Sequence, residues 1–305
     1  MYMEKMRVLS FLSSIVVAFT LGGCLKDDNT ENPGDRLNAE VANIDAYLAG
    51  KAVAAIKDPS GVRVVIYKLG TGFPAKAANT VTVDYTGRFF PDGQTFDEGT
   101  AKDAAASKYI QGWQIALSLL PEGSRARVYI PSFWAYGTDG NKTIPGNTTL
   151  EFDMSFNELV HTSAEMQRLG TDTVAIDNYL ATKGIDAIKD TVGLRYVINE
   201  TGGGARPGLY NKIKVTLAYK LLTDDTKTVA EVTFEPADGF DSRPVDQVAD
   251  GVKRILTQMP VGAKYTVYLP SLLAFGPNGA SQNQVQVIPA NANVIVDITL
   301  TAVVP

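Results

Sequence analysis

The chain holds one cysteine, one histidine and two tryptophans in 305 residues. A single cysteine excludes an internal disulfide, and a single histidine excludes a site built on two histidine ligands. No basic stripe or block of Lys and Arg occurs: the net charge is −5 with both signs interspersed, so a nucleic-acid partner is not expected. Apolar runs are short as well, and none reaches the ~20 residues that a membrane-spanning helix needs. What is present is a chain with 45% hydrophobic residues, long enough for two domains that each bury a core.

The longest apolar run, VLSFLSSIVVAFTL at 8–21, follows a basic-leaning start and leads into LGGC, which ends on the lone Cys24. A short apolar run followed by small residues reads as a secretory signal. Its ending on cysteine resembles a bacterial lipobox. That resemblance implies a signal peptide over 1–23 and a lipidated Cys24 as the first mature residue, with several acyl chains giving a stable anchor. The polar segment that follows, LKDDNTENPGDRLNA, lacks apolar periodicity, and 24–38 is predicted to be a flexible tether. The expected location is the bacterial envelope, lipid-anchored at the outer membrane and facing the periplasm or the cell surface.

The rest of the chain is one unit written twice. IDAYLAGKAVAAIKDPSGVRVVI (44–66) and IDNYLATKGIDAIKDTVGLRYVI (176–198) align without gaps at an offset of 132. They share Ile44/Ile176, Asp45/Asp177, Tyr47/Tyr179, Leu48/Leu180, Lys57/Lys189, Gly61/Gly193 and Arg63/Arg195. Gly112/Gly251, Gly123/Gly262, Pro131/Pro270, Gly137/Gly276, Pro145/Pro289 and Asp153/Asp297 continue the match at larger offsets. Two long repeats imply two domains rather than a solenoid. Each begins with a helix, whose apolar face in the first unit is Leu37, Val41, Ile44 and Leu48. Strands with alternating pattern follow, such as TVTVDYTG and KVTLAYKL, with turns at PDGQ and DDTK and a short helix before the last two strands. The fold class is α+β: an antiparallel sheet packed on a short helix, twice. The boundaries expected are 39–160 and 161–305.

VTVDYTGRFFPDGQTFDEG, YIQGW, LPEGSRARVYIPSFWAYG and IPGNTTLEFDMSF together resemble the FKBP-type peptidyl-prolyl isomerases, over about 75–155 and again over about 207–300. The resemblance implies a curved antiparallel sheet around a short helix, with an aromatic pocket between them. It assigns to that pocket Tyr85, Phe96, Asp97, Ile110, Trp113, Tyr136, Ile144 and Phe152. In these roles Trp113, Phe152, Tyr85 and Phe96 hold a proline ring. The Tyr136 hydroxyl and the Ile110 backbone N–H hold substrate carbonyls, and Asp97 orients Tyr85 or meets the twisted carbonyl. One family phenylalanine is absent: the segment EGTAKDAAASK supplies only alanines there, and Tyr109 is the residue that could replace it.

The second unit keeps the glycines, prolines and strand pattern but not the pocket. Tyr219 is matched to Tyr85, Val252 to Trp113, Phe275 to Tyr136, Ile288 to Ile144, Val296 to Phe152, and Val229-Ala230 to Phe96-Asp97. Phe240 is a candidate for the missing wall. The second domain is therefore expected to be inactive. His161, just after the first unit, is expected to be a linker or surface residue.

Prolyl isomerisation explains why such a site carries no nucleophile. It rotates an imide against a barrier of roughly 18–20 kcal/mol and makes no covalent bond. The planar imide is the more dipolar state, so an apolar pocket disfavours it relative to the twisted one. No cofactor is expected. The expected partners are proline-containing unfolded or nascent polypeptides, and the expected state is a monomer. Two other readings stay open: a non-catalytic polypeptide- or partner-binding lipoprotein on a duplicated fold, and a structural surface protein.

Overall fold

The computed structural model describes residues 32–208, 211–235, 248–282 and 284–304. The signal peptide, Cys24, most of the expected tether before the first helix, and Phe240 lie outside the described residues. The first helix, α1 (Pro33–Gly50), starts inside the segment expected to be tether. Pro33 takes the first helical position, where a missing N–H costs nothing, and Asp35 sits in the first turn, where the helix dipole favours a negative charge. Ile44 and Leu48 are its buried residues.

The first domain continues with β1 (Ile56–Lys57), β2 (Arg63–Lys68), β3 (Thr80–Phe89), β4 (Thr95–Ala105), α2 (Gln111–Leu119), β5 (Arg125–Ile130) and β6 (Leu150–Val160). The second repeats this plan. Its elements are α3 (Ser163–Lys183), β7 (Ile188–Lys189), β8 (Arg195–Thr201), β9 (Lys212–Leu221), β10 (Asp224–Phe234), α4 (Asp250–Leu256), β11 (Ala263–Leu269), β12 (Ala280–Gln282), β13 (Val285–Ile288) and β14 (Val294–Val304). The sheets are antiparallel, in the orders β1-β2-β5-β6-β3-β4 and β7-β8-β11-β14-β9-β10, which are the same order strand for strand. Among the described residues the β12–β13 hairpin has no counterpart in the first domain; it is built from the longer loop of the second unit. The turn expected at DDTK falls earlier, at Leu222-Thr223. Asp224 already opens β10, and Asp225 is held by the Tyr179 hydroxyl at 2.6 Å and by Lys183 at 2.7 Å.

In each domain the short helix packs on the inner sheet face. Trp113, Ala116 and Leu117 of α2 share a core with Val81, Val83 and Val128, and Val252, Ile255 and Leu256 of α4 share one with Val215, Leu217 and Val267. The long helices lie on the outer faces: Ile44 and Leu48 pack with Val65 and Tyr129, and Ile176 and Leu180 with Tyr268 and Ile295.

The repeated residues turn out to be contacts. Arg63 donates to Asp45 through Nε at 2.9 Å and Nη2 at 3.1 Å, and Arg195 to Asp177 at 2.9 and 3.2 Å. Both arginines are buried, and their paired hydrogen bonds hold each aspartate below the usual carboxylate range. One turn upstream in each helix a second carboxylate binds the loop after β5 or β11: Glu40 accepts from the Ser132 hydroxyl at 2.6 Å, and Asp172 from the Ser271 N–H at 2.9 Å. Gly61 (φ +97°) and Gly193 (φ +99°) shape the turn before the arginine strand in each copy, a backbone state that side chains resist.

Candidate active site

Four elements of the first domain bring one aromatic cluster together. Trp113 stands in the first turn of α2, Tyr85 on β3, Phe96 on β4 and Phe152 on β6. The Trp113 ring lies edge-on to Tyr85 at 5.1 Å and to Phe152 at 5.3 Å, and Phe152 is edge-on to Phe96 at 5.7 Å. These are favourable aromatic geometries. Trp113 and Phe152 are buried and form the floor, while Phe96 and Tyr85 are half-buried above them. Tyr109 packs against Trp113 at 5.2 Å, so this ring, rather than the alanine segment, adds an aromatic beside the floor. The alanine segment is ordered: it completes β4 and a single 3₁₀ turn, with Ala106 buried.

A glycine makes the cluster possible. Gly87 lies between Tyr85 and the end of β3, and a Cβ there would come within 2.6 Å of the Phe96 ring and 2.8 Å of Phe152. Real Cβ atoms do not approach that closely, so the two rings take the space that a side chain would fill. The sequence motif contains this glycine; its packing role was not foreseen.

The rim is polar. The Tyr85 hydroxyl donates to Asp97 Oδ2 at 2.8 Å, so Asp97 orients Tyr85. Burial and that carboxylate push the Tyr85 phenol up to about 12. Burial, and then the Asp97 charge, raise Tyr136 as well, while its side chain remains 36% exposed. Ile110 caps the N-terminus of α2, and its N–H meets no acceptor among the described residues. Ile144 is buried and fixed by Asn141, whose side-chain oxygen accepts its N–H at 2.8 Å. The loop that carries Tyr136 and Ile144 is cinched by Asn147 N–H to Gly137 O at 2.8 Å. The site thus offers an apolar floor, a few fixed donors at its edge, and no nucleophile paired with a base. His161 is elsewhere, in the linker between β6 and α3, and is packed edge-on to Phe73 at 4.7 Å rather than lying on the open surface.

The second domain assembles the counterpart site differently, and strand register corrects one sequence equivalence. Phe152 faces Val128 of β5, and Val296 faces Val267 of β11, so Val296 occupies the Phe152 position. Across the sheet Phe152 pairs with Gly87, whereas Val296 pairs with Tyr219. Tyr219 therefore stands in the place of Gly87, and the counterpart of Tyr85 is Leu217. The ion pairs agree: Arg88 binds Asp153 at 2.6 Å and Lys220 binds Asp297 at 2.8 Å. The expected match of Tyr219 to Tyr85 is two residues out of step. A shift of two leaves a strand's facing unchanged, so the pattern alone could not expose it.

Ala230 lies opposite Tyr219 as Asp97 lies opposite Gly87, so no carboxylate faces this pocket from β10 at that position. Val252, Val296 and Ile288 are fully buried, and Phe275 is half-buried against the core. Tyr219 is 1% exposed, with its ring 5.5 Å from Phe275. The rims differ too: Phe133 is 52% exposed, while Leu272, at the corresponding point before the corner, is 8% exposed.

The profile of the family "FKBP-type peptidyl-prolyl cis-trans isomerase" matches residues 72–157 and 209–301, more than half of the chain. The FKBP-type peptidyl-prolyl cis-trans isomerase FkpA of Aeromonas hydrophila is 33% identical over 155 residues, covering 50% of this chain and 54% of that protein. The outer membrane protein MIP of Legionella longbeachae is 43% identical over 83 residues, covering 26% and 35%. The chain thus spans about half or less of the length of these curated relatives. Among solved structures, a peptidyl-prolyl cis-trans isomerase from Pseudomonas syringae is 30% identical with a TM-score of 0.36, covering 41% of this chain and 96% of that one.

Proposed function

The chain belongs to the FKBP-type peptidyl-prolyl cis-trans isomerase family, and from that premise we propose that its first domain catalyses prolyl isomerisation while its second does not. The observation that carries this reading is the Trp113–Phe152–Tyr85–Phe96 cluster, with Tyr136 near Tyr85 and Asp97 and with Ile110 packed on the same core. A proline ring resting on this floor leaves water. Its imide loses dipolar resonance as it twists, and the apolar surround penalises the planar state more than the twisted one. Tyr136 and the Ile110 N–H fix the flanking carbonyls, which converts a free rotation into an oriented one. Asp97 holds the Tyr85 hydroxyl through its hydrogen bond. No bond forms or breaks and no cofactor is called for.

One relative, MIP of Legionella longbeachae, is named as an outer membrane protein and supports an envelope location, and the proposed anchor is a lipid on Cys24. The substrates would then be exported polypeptides with exposed prolines, met by a monomer. The experiment is a prolyl-isomerisation assay of the mature chain on a proline tetrapeptide. Acceleration over buffer that falls at least about tenfold with Trp113→Ala supports the reading. No acceleration by the folded wild-type chain overturns it and leaves a tandem polypeptide-binding protein.

A further inference from the structure

We infer that Tyr219 is the residue that closes the second prolyl pocket, standing in it as a built-in ligand. The inference rests on the reading of the first domain as the prolyl-binding one, because it transfers that site's geometry to its copy. At the Gly87 position of the first domain, a side chain would project directly at Phe96 and Phe152, the rings that line the site. At the same position in the second domain a full tyrosine side chain is present, and the two rings facing it are reduced to Val229 and Val296. Its ring reaches Phe275, the counterpart of Tyr136, at 5.5 Å. Its hydroxyl lies near the backbone of Ala249, the residue that caps α4 as Ile110 caps α2, without forming a hydrogen bond to it. The side chain therefore spans from the sheet to the counterpart of Tyr136, which in the first domain is 36% exposed.

One further observation fits an occupant better than an ordinary core residue. The Tyr219 hydroxyl is buried and makes no hydrogen bond among the described residues, whereas buried phenols normally find a partner. A residue selected only to fill the volume would be phenylalanine.

The test is residue-resolved amide NMR of the full mature chain, titrated with a neutral proline-containing tetrapeptide, for wild type and Tyr219→Ala. In wild type, shifts are expected around Trp113, Tyr136 and Ile144 only. In Tyr219→Ala a second set is expected at Ala249, Val252, Phe275 and Ile288, with affinity at least about tenfold above that of the wild-type second domain. Second-domain shifts already present in wild type, or none in a folded Tyr219→Ala chain, overturn the inference. Loss of first-domain shifts in both proteins instead strikes the functional reading and leaves the second-domain result to be judged separately. Should Tyr219→Ala fail to fold, Tyr219→Phe decides. It keeps the ring and removes the unpartnered hydroxyl, so an unchanged or higher Tm supports the inference and a lower Tm overturns it.

Discussion

The two domains share strand order, helix placement and a buried arginine pair, yet they reach opposite solutions at the same spot on the sheet. In the first, a glycine on β3 leaves room for two phenylalanines that cluster with Trp113. In the second, a tyrosine on β9 faces two valines and closes the space itself. The lesson is that the scaffold and the pocket are held by different residues. The outer helix, the ion pair and the glycine turn survive duplication intact, while the inner face drifts as a coupled set. A large residue gained at one position goes with large residues lost at its neighbours, as a close-packed interior requires.

Several changes would break or sharpen this contrast. The largest effect is expected at Trp113 against Val252. Trp113→Ala should cost at least about tenfold in isomerase rate, whereas Val252→Ala should leave the rate unchanged and lower stability by about 1–3 kcal/mol, measured by a coupled assay and by urea denaturation. Next is Gly87→Ala. The added Cβ must displace Phe96 or Phe152, so a stability loss of about 1–3 kcal/mol and a clear fall in rate are expected. An active, unperturbed Gly87→Ala chain would show that the rings do not need that gap.

The ion pairs test the shared half. Arg63→Ala and Arg195→Ala should each cost about 2 kcal/mol, because each removes two charge-assisted hydrogen bonds from a buried site. Equal losses would mark the pairs as equivalent; a loss in only one domain would mark one as idle. Both partner aspartates have lowered folded values, so their contribution is present at neutral pH. It is lost as pH falls below the ordinary aspartate value of 3.8 toward the folded one. Acid unfolding of each arginine variant should accordingly begin from a lower plateau and show a shallower fall across that range. The smallest effect concerns Tyr85. With its phenol raised to about 12, the rate should show no step from its ionisation between pH 7 and pH 10, as a pH–rate profile would reveal.

Much of this was legible in the sequence. The duplication and the α+β class follow from ungapped identity and alternating strands, and the aromatic residues that cluster in the first domain are those the family resemblance pointed to. What the pairs do was not: Asp45 and Arg63 lie 18 residues apart, and nothing local joins them until the helix lies across the sheet. Gly87 was visible as part of a motif, but its reason is a distance to rings on two other strands. Tyr219 was seen and assigned to the wrong partner. Strand periodicity repeats every two residues, so a slip of two preserves every inward and outward position, and only pairing across β14 fixes the register. The helix start at Pro33 was hidden because a polar first turn looks like a linker.

The outer helix and the strand after it have a practical consequence for anyone dividing this protein. The family match begins at residue 72, downstream of α1, β1 and β2. A fragment cut there would strip β2 from β5, leaving the N–H and C=O row of Arg125–Ile130 as a bare edge in mid-sheet. It would also leave the Ser132 hydroxyl and amide without the Glu40 carboxylate. Open edges of this kind recruit other strands, so such a fragment is expected to aggregate. The smallest piece that can be excised with both of its edges finished therefore starts at Pro33, and its counterpart at Ser163, some forty residues before the homology begins in each copy.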